Sequence, residues 1–208
     1  MTDGGELGWL SGRVGRADYH LFSDVACPEA GELAQLVGDA GAGIVCEPTQ
    51  IRQAKRATPD AGGATHVIAL IGWPTGRHHS LIKAAEARLA VEEGADEVWV
   101  AVDVPGSVDA DTINAMLADV IAVSQVVEEP TRFGVTFPAS LGARAVHQLA
   151  DAVGKVGVDA VAVGVDKPGA LDLPSVPCDL AVHGRVHTLD AVADALLAGA
   201  DRVFPVRG

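Results

Sequence analysis

Carboxylate and imidazole side chains stand at or near the ends of several apolar segments of this sequence. Asp18 and His20 belong to the first such segment, Asp103 ends the fourth, Asp166 follows the sixth and His183 lies in the seventh. These groups act as general acids and bases near neutral pH, and with His20 they are also possible ligands for a divalent metal. The spacing forms no motif, so three roles stay open: proton transfer or substrate orientation, metal binding, and hydrogen-bonded packing.

Basic side chains near other segments are candidates for binding an anionic substrate. They are Arg77 and His78, which follow the turn GWPTG, and Arg185, His187 and Arg207, which flank the last two apolar segments. An exposed polar loop is the alternative interpretation for Arg77 and His78.

Lys167 is the one lysine that directly follows a candidate acid, Asp166. A lysine amine can form a Schiff base with a carbonyl substrate. The alternative is a solvated loop lysine beside Pro168.

The elements that position these residues are clearest between residues 80 and 106. Ile82, Ala85, Leu89 and Val91 form an apolar helical stripe, which predicts a helix with this stripe toward the core. Gly94 ends the helix. The run VWVAVDV follows, and its apolar, β-branched character is typical of a parallel strand covered on both faces.

The same order recurs along the chain, since three predicted helices end in Gly-Xaa-Asp and lead into an apolar strand. The predicted strands are 17–22, 43–46, 66–73, 97–104, 132–137, 160–165, 178–184 and 202–206. The first predicted helix begins at Pro28. The other predicted helices cover 50–57, 80–93, 109–127, 140–156 and 189–197. Eight strands joined by crossover connections predict a single (β/α)₈ TIM barrel over residues 17–208.

This barrel is short at its C-terminal end, because the sequence stops soon after the eighth strand without a closing helix. An apolar seam would then need a cover. We expect either the N-terminal arm, residues 1–16, or a second subunit to provide it, and a homo-oligomer is predicted.

Composition restricts the class of partner. The 208 residues include 49% hydrophobic residues and carry a formal charge of −13. This charge repels phosphate backbones and anionic membranes, so neither nucleic acid nor a membrane is an expected partner. No signal peptide is recognisable, and a cytoplasmic location is predicted. Three cysteines without CxxC spacing indicate neither a disulfide framework nor a zinc site.

Four stretches in order resemble deoxyribose-phosphate aldolase and its relatives: VCEPTQIRQAKRA at 45–57, GWPTG at 72–76, IKAAE followed by GADEV within 82–98, and GRVHTLD at 184–190. The resemblance covers about residues 17–207. It implies a TIM barrel and a class I aldolase, in which a lysine of strand six forms the Schiff base. A lysine of strand seven and an aspartate of strand four assist.

In this chain, other residues stand at the positions of the family's three catalytic residues. The strand-four aspartate corresponds to Trp99, the Schiff-base lysine to Ala162 and the strand-seven lysine to Ala181. Alanine cannot form an imine. Asp18 matches the aspartate of the family's first strand.

Strand alternation predicts which other side chains share a face with these three positions. Side chains two residues apart share a face, so Asp103 would follow Trp99, and His183 would follow Ala181. If the family positions face inward, the interior holds an apolar plug of Trp99, Ala162 and Ala181. Asp103, Asp166 and His183, with Asp18 and His20 from the first strand, would then converge nearer the C-terminal mouth, where this fold places active sites.

The resemblance also concerns phosphate binding. Lys167 and Gly184 match the family's phosphate surroundings, whereas a glycine becomes Arg185 and an arginine becomes His187. Barrels often hold phosphate at the loops after strands seven and eight, so Arg185, His187 and Arg207 are predicted to bind an anion. Trp99 is interpreted as core or as the floor of a ligand pocket.

Three functions are compatible with these residues. The first is a diverged, lyase-like family enzyme that acts on a small polar or anionic carbonyl compound, phosphorylated or not, without the family's Schiff base. The second is a non-catalytic barrel that binds a ligand or regulates a partner. The third is a retained aldolase that uses Lys167. None requires a cofactor or a metal.

Overall fold

The described parts of this computed structural model are residues 9–19, 32–56, 65–104, 108–138, 140–166 and 171–206. Within them, eight parallel strands form one sheet in the order β1 to β8. The strands are Arg16–Asp18 (β1), Ile44–Cys46 (β2), Val67–Ile71 (β3), Glu97–Ala101 (β4), Arg132–Phe137 (β5), Ala160–Val165 (β6), Asp179–Gly184 (β7) and Arg202–Pro205 (β8).

Helices alternate with these strands. They are Glu32–Asp39 (α1), Ile51–Arg56 (α2, preceded by a 3₁₀ turn at Pro48–Gln50), Ser80–Glu92 (α3), Ala110–Ser124 (α4), Ala143–Gly154 (α5) and Leu189–Leu197 (α6). The predicted TIM barrel is confirmed, and no helix follows β8 within the described residues. The predicted helix start at Pro28 lies outside the described residues.

The aspartates of the recurring Gly-Xaa-Asp segments join neighbouring strands by hydrogen bonds at their N-terminal ends. Asp96 accepts a hydrogen bond from the backbone N–H of Val67 at 2.7 Å, and Asp159 accepts one from Phe133 at 2.8 Å. Asp201 does the same for Leu180 at 2.9 Å. Each aspartate thus joins its own strand to the preceding one, which explains why the pattern recurs.

The N-terminal arm closes the sheet. The backbone N–H of Gly15 donates to Val203 O at 2.9 Å, and the N–H of Val203 donates to Arg13 O at 2.9 Å. Leu10 and Val14 are buried in the same apolar cluster as Val203 and the core faces of α1 and α6. Residues 10–15 of the arm thus contact both β8 and the core at this seam.

Leu10→Ala is therefore expected to lower the free energy of unfolding by about 2 to 4 kcal/mol, because a buried leucine is truncated and leaves a cavity. Trp9→Ala is the matched control, since Trp9 is 53% exposed. Urea unfolding of both variants measures the difference. An equal, small effect of the two substitutions would mean that the arm contributes little to closure.

The rotation of α3 differs from the sequence-based prediction. Its core face is formed by Lys83, Ala87 and Ala90, whereas Ile82 and Leu89 are each 59% exposed. Lys83 is 1% exposed because its aliphatic stem packs over Gly72 and its ammonium group pairs with Asp119. This contact turns the apolar stripe away from the sheet.

Candidate functional site

Trp99, Ala162 and Ala181 pack against one another inside the barrel, as strand alternation predicts. All three are fully buried. Ala162 and Ala181 are directly opposite each other across β6 and β7. The Trp99 indole fills the space above Gly134, where a Cβ would lie 2.7 Å from Trp99 Cδ1. Among the described residues, no lysine belongs to this interior cluster.

A buried ion pair lies beneath the plug, at the N-terminal end of the strands. Glu97 is fully buried and receives two hydrogen bonds of 2.9 Å from the Arg202 guanidinium. The Trp99 indole N–H donates to Glu97 Oε1 at 2.6 Å, and His66 Nε2 lies 3.0 Å from Oε2. Burial alone would raise the pKa of Glu97, but these hydrogen bonds and the Arg202 charge lower it to about 2.

Above the plug, His183 lies between two hydroxyl groups. Its Nδ1 is 2.5 Å from Tyr19 Oη, and its Nε2 is 2.8 Å from Thr136 Oγ1. Burial lowers the pKa of His183 to about 4 and raises that of Tyr19 far above its usual range. All three groups are therefore uncharged at neutral pH, and both imidazole nitrogens are engaged by the protein.

Trp73 covers this polar trio. Its ring centroid lies 5.0 Å from that of Tyr19 and 5.5 Å from that of His183. The indole Nε1 of Trp73 is buried without a hydrogen-bond partner. A buried donor without an acceptor is unfavourable, so this N–H is a candidate contact for a ligand oxygen.

Sequence reasoning missed Tyr19, Thr136, Trp73 and Glu97 as neighbours of the interior site. Strand alternation could have identified three of them, because each stands two residues from an inward-facing position. Tyr19 lies two residues after Ala17 of β1, Thr136 two after Gly134 of β5, and Glu97 two before Trp99. Trp73 lies in the turn after β3, where alternation gives no information.

Asp103 does not join His183, which corrects the predicted convergence at the mouth. Its carboxylate pairs with Arg77 at 3.3 Å and is 39% exposed. Asp103, Arg77 and His78 line a cleft of about 410 Å³ beside α4, and His183 is not part of that lining. The structure thus brings Asp103 together with two predicted anion-binding residues.

Asp166 also lies apart from His183. It is exposed and lines a different cleft of about 200 Å³ between the end of β6 and α5, next to Asp172. The physical reason is the same for both aspartates. The strands end at Ala101 and Val165, so alternation no longer governs the residues beyond them.

Asp18 lies on the face of β1 opposite to the interior residues Ala17 and Tyr19. It is paired with Arg16 at 2.9 Å, and its strand partner is Cys46, which belongs to the outer core. Burial is the main cause that raises the pKa of Cys46 to about 12, with the Asp18 charge adding to it. This thiol is therefore protonated.

Gly184, Arg185 and His187 lie at the end of β7 and in the turn that follows it. Gly184 has φ +120°, and a Cβ there would lie 2.3 Å from Val165 O, so only glycine fits. Burial, with Arg185 adding to it, lowers the pKa of His187, and both of its ring nitrogens are buried without a partner. The turn thus presents a neutral imidazole next to a guanidinium.

His20, Lys167 and Arg207 lie outside the described residues. In the described ranges, no group of three or more histidine, cysteine, aspartate or glutamate side chains could hold a metal ion. None of the helices in these ranges combines the length and the apolar character that a membrane span requires.

Comparison with known proteins gives one consistent family name. The chain is 30% identical over 204 residues to the deoxyribose-phosphate aldolase of Nocardia farcinica, covering 90% of this chain and 87% of the relative. It is 31% identical over 194 residues to deoxyribose-phosphate aldolase 1 of Cutibacterium acnes, covering 88% of each. No protein-family model matches the chain.

Solved structures agree at the level of the fold. A deoxyribose-phosphate aldolase candidate from Coccidioides immitis superposes with a TM-score of 0.72 at 18% identity, over 94% of this chain and 81% of that one. The tetrameric deoxyribose phosphate aldolase of Aeropyrum pernix superposes with a TM-score of 0.66 at 20% identity, over 94% and 86%.

Proposed function

The chain belongs to the deoxyribose-phosphate aldolase family, and we propose that it is an aldolase-like enzyme that acts on a small polar or anionic carbonyl compound without the family's Schiff base. The observation that carries the proposal is the packing of Ala162 and Ala181 against Trp99. The two amine positions hold methyl groups, and the indole fills the space beside them. Carbonyl activation must therefore use hydrogen bonds instead of an imine.

Tyr19 is the group best placed to supply such a bond. When the His183 proton is on Nδ1, the imidazole donates to Tyr19 Oη and accepts from Thr136 at Nε2. The phenol proton of Tyr19 is then available to a carbonyl oxygen, and the Trp73 N–H offers a second donor. Preorganised donors of this kind stabilise negative charge that develops on a substrate oxygen. In this proposal Tyr19 supplies the hydrogen bond to the carbonyl oxygen, and the proton transfer first assigned to Asp103, Asp166 and His183 remains a prediction.

The anionic part of the substrate is assigned to the turn after β7. His187 has two unpartnered buried nitrogens beside Arg185, and barrels often bind phosphate at this turn. Lys167 and Arg207 remain predicted contributors.

A second candidate function is a non-catalytic barrel that binds a ligand. The engagement of both His183 nitrogens favours it, because neither nitrogen is left to exchange a proton with a substrate. Deuterium exchange separates the two candidates. Small aldehydes and ketones, with and without phosphate, are incubated with the protein in D₂O, and incorporation beside the carbonyl is followed by NMR.

Catalysed exchange that is lost in Tyr19→Phe, with unchanged melting temperature, supports the enzyme. Binding without exchange in any of the compounds supports the second candidate. Ser124→Ala is a suitable control variant, since Ser124 lies at the end of α4 outside the candidate sites.

The third possibility, a retained aldolase that uses Lys167, predicts a covalent adduct. We expect no labelling when the protein is treated with borohydride and either 2-deoxyribose 5-phosphate or acetaldehyde, because Ala162 and Ala181 replace the amines. Mass spectrometry of the intact protein and of its peptides measures the result, with an active family aldolase as the positive control. A reduced adduct on Lys167 would overturn the proposal.

We also propose that the protein is a homo-oligomer in the cytosol. The tetrameric state named for the Aeropyrum pernix relative is consistent with self-association.

A further inference from the structure

The cleft beside α4 is a cavity to which the proposed reaction gives no role. It has a volume of about 410 Å³ and lies between the segment that follows β3 and one face of α4. Tyr19, His183 and Thr136 are not part of its lining. Pockets that bind small molecules have volumes of about 300 to 1,000 Å³, so this cleft suits a small metabolite.

An exposed ion pair stands at this cleft. Arg77 Nε lies 3.3 Å from Asp103 Oδ2, and the two side chains are 73% and 39% exposed. Within the part of the chain that the structure describes, neither side chain has another ion pair or hydrogen bond. The Arg77 Nη atoms therefore keep their donors, and Asp103 Oδ1 keeps its lone pairs, for a ligand.

The close approach of these two opposite charges disfavours a ligand with a single charge. An anion that binds Arg77 is repelled by Asp103, and a cation that binds Asp103 is repelled by Arg77. Asp119, a second carboxylate of the lining, is already paired with Lys83. The lining is thus close to electrical neutrality and matches a ligand that carries one charge of each sign.

The head group of a free α-amino acid has this property, because its ammonium group and its carboxylate are bonded to the same carbon atom. The carboxylate can accept two hydrogen bonds from the Arg77 Nη atoms, which is the strongest arrangement for this pair of groups. The ammonium group can donate to Asp103 Oδ1. Both charges of the ligand then have a partner, and the protein pair is retained.

The rest of the lining includes an apolar part, formed by Val102, Ala115 and Met116. A methionine thioether adapts its shape to the group it contacts. This part of the cleft can therefore receive an aliphatic or thioether side chain of the ligand.

The backbone holds Arg77 next to Asp103. Gly76 has φ +68°, and a Cβ there would lie 2.4 Å from the carbonyl carbon of Val102. The segment after β3 therefore packs directly on the residues that follow β4, and the N–H of Arg77 donates to Thr75 Oγ1 at 3.3 Å. A backbone that is already ordered reduces the entropy that binding must remove.

We propose that this cleft binds a free α-amino acid with an apolar side chain. Arg77 binds its carboxylate, Asp103 binds its ammonium group, and Val102, Ala115 and Met116 contact its side chain. Because both charged groups are exposed to solvent, the affinity is modest, with a dissociation constant of about 1 mM or below. The amino acid is a second ligand of the protein, distinct from the proposed carbonyl substrate.

Isothermal titration calorimetry with L-leucine and L-methionine tests the proposal. Three compounds each lack one part of leucine: 4-methylpentanoate lacks the ammonium group, 3-methylbutylamine lacks the carboxylate, and glycine lacks the side chain. Each is expected to bind at least about 10-fold more weakly than leucine, because one of the three contacts is missing.

Two variants identify the groups that bind the head group. Arg77→Gln and Asp103→Asn are each expected to weaken leucine binding by about 10-fold or more. The matched compounds should respond in the opposite direction. Asp103→Asn removes the charge that repels 4-methylpentanoate and should strengthen its binding, and Arg77→Gln should do the same for 3-methylbutylamine. Arg144→Gln, on the exposed face of α5, is the control and should change none of these affinities.

Three results would overturn the proposal. They are no saturable binding of leucine or methionine up to about 10 mM, equal affinity for leucine and 4-methylpentanoate, and leucine binding that is unchanged in Arg77→Gln. The titrations involve no turnover of a carbonyl compound, so a negative result would leave the proposed reaction unaffected.

Discussion

Replacing Glu97 by glutamine is expected to lower the free energy of unfolding by about 3 to 5 kcal/mol, the cost of removing one partner from a buried ion pair. Glu97 holds Arg202 through two hydrogen bonds and also accepts from the Trp99 indole. A glutamine keeps one acceptor but turns an amide donor toward the guanidinium. Arg202 would then keep only its longer contact with Asp179, at 3.7 Å. Chemical denaturation of the variant measures the loss.

Glu92→Gln is the control, because Glu92 is an exposed residue of α3. Acidification gives an independent readout. The pKa of Glu97 is about 2 in the folded protein and 4.5 without the fold. The wild-type contribution is therefore present above pH 4.5 and is lost as the pH falls toward 2. A Gln variant with wild-type stability and an unchanged acid profile would show that the ion pair contributes nothing.

Restoring the family's three catalytic residues is expected to lower stability by at least about 3 kcal/mol and to yield no useful aldolase. The variant combines Trp99→Asp, Ala162→Lys and Ala181→Lys. Removing the indole leaves a cavity above Gly134, and the new aspartate lies two residues from buried Glu97. The two lysines stand directly opposite each other across β6 and β7, so the interior must accommodate several charges where it now holds methyl groups.

Cleavage of 2-deoxyribose 5-phosphate and the melting temperature are measured together. Trp99→Phe is the matched control, because it retains an aromatic ring while removing the donor to Glu97 and part of the indole's volume. Robust aldol cleavage with little loss of melting temperature would identify the interior as an ordinary aldolase pocket without its lysines. The hydrogen-bonding role proposed for Tyr19 would then lose its basis.

The strands of this barrel could be read from the sequence because most of their residues are apolar on both faces. The prediction for β5, β6 and α6 agrees with the observed bounds, and the inward direction of Trp99 and Ala162 followed from the family resemblance, in which these positions face inward.

The face of α3 could not be read in this way. Hydrophobic periodicity favoured Ile82 and Leu89 as the core side, but a lysine can bury its aliphatic stem if its ammonium group finds a counterion. Asp119 provides that counterion from α4, 36 residues further along the chain. A contact between two helices decided the rotation, and a single-helix pattern does not contain it.

The candidate site shows the same limit, because its contacts join segments that are distant in the sequence. His183 was identified from its position in β7, but its hydrogen-bond partners come from β1 and β5, at sequence separations of 164 and 47 residues. Asp103 and Asp166 were misplaced because alternation was extended beyond the strand ends. The register between strands decides which polar groups meet inside a barrel. A pattern within one segment does not contain that register.

The closure of the barrel by the N-terminal arm also bears on how the chain reaches this state. From β2 to β8, each strand pairs with the strand that precedes it in sequence, so pairing can proceed as the polypeptide leaves the ribosome. The last seam joins β8 to Val14, near opposite ends of the described chain. Until β8 arrives, the sheet presents two edges with unpaired amide and carbonyl groups, which are templates for intermolecular strand addition. Nascent chains truncated before Arg202 should therefore aggregate and need chaperone protection that the finished barrel does not.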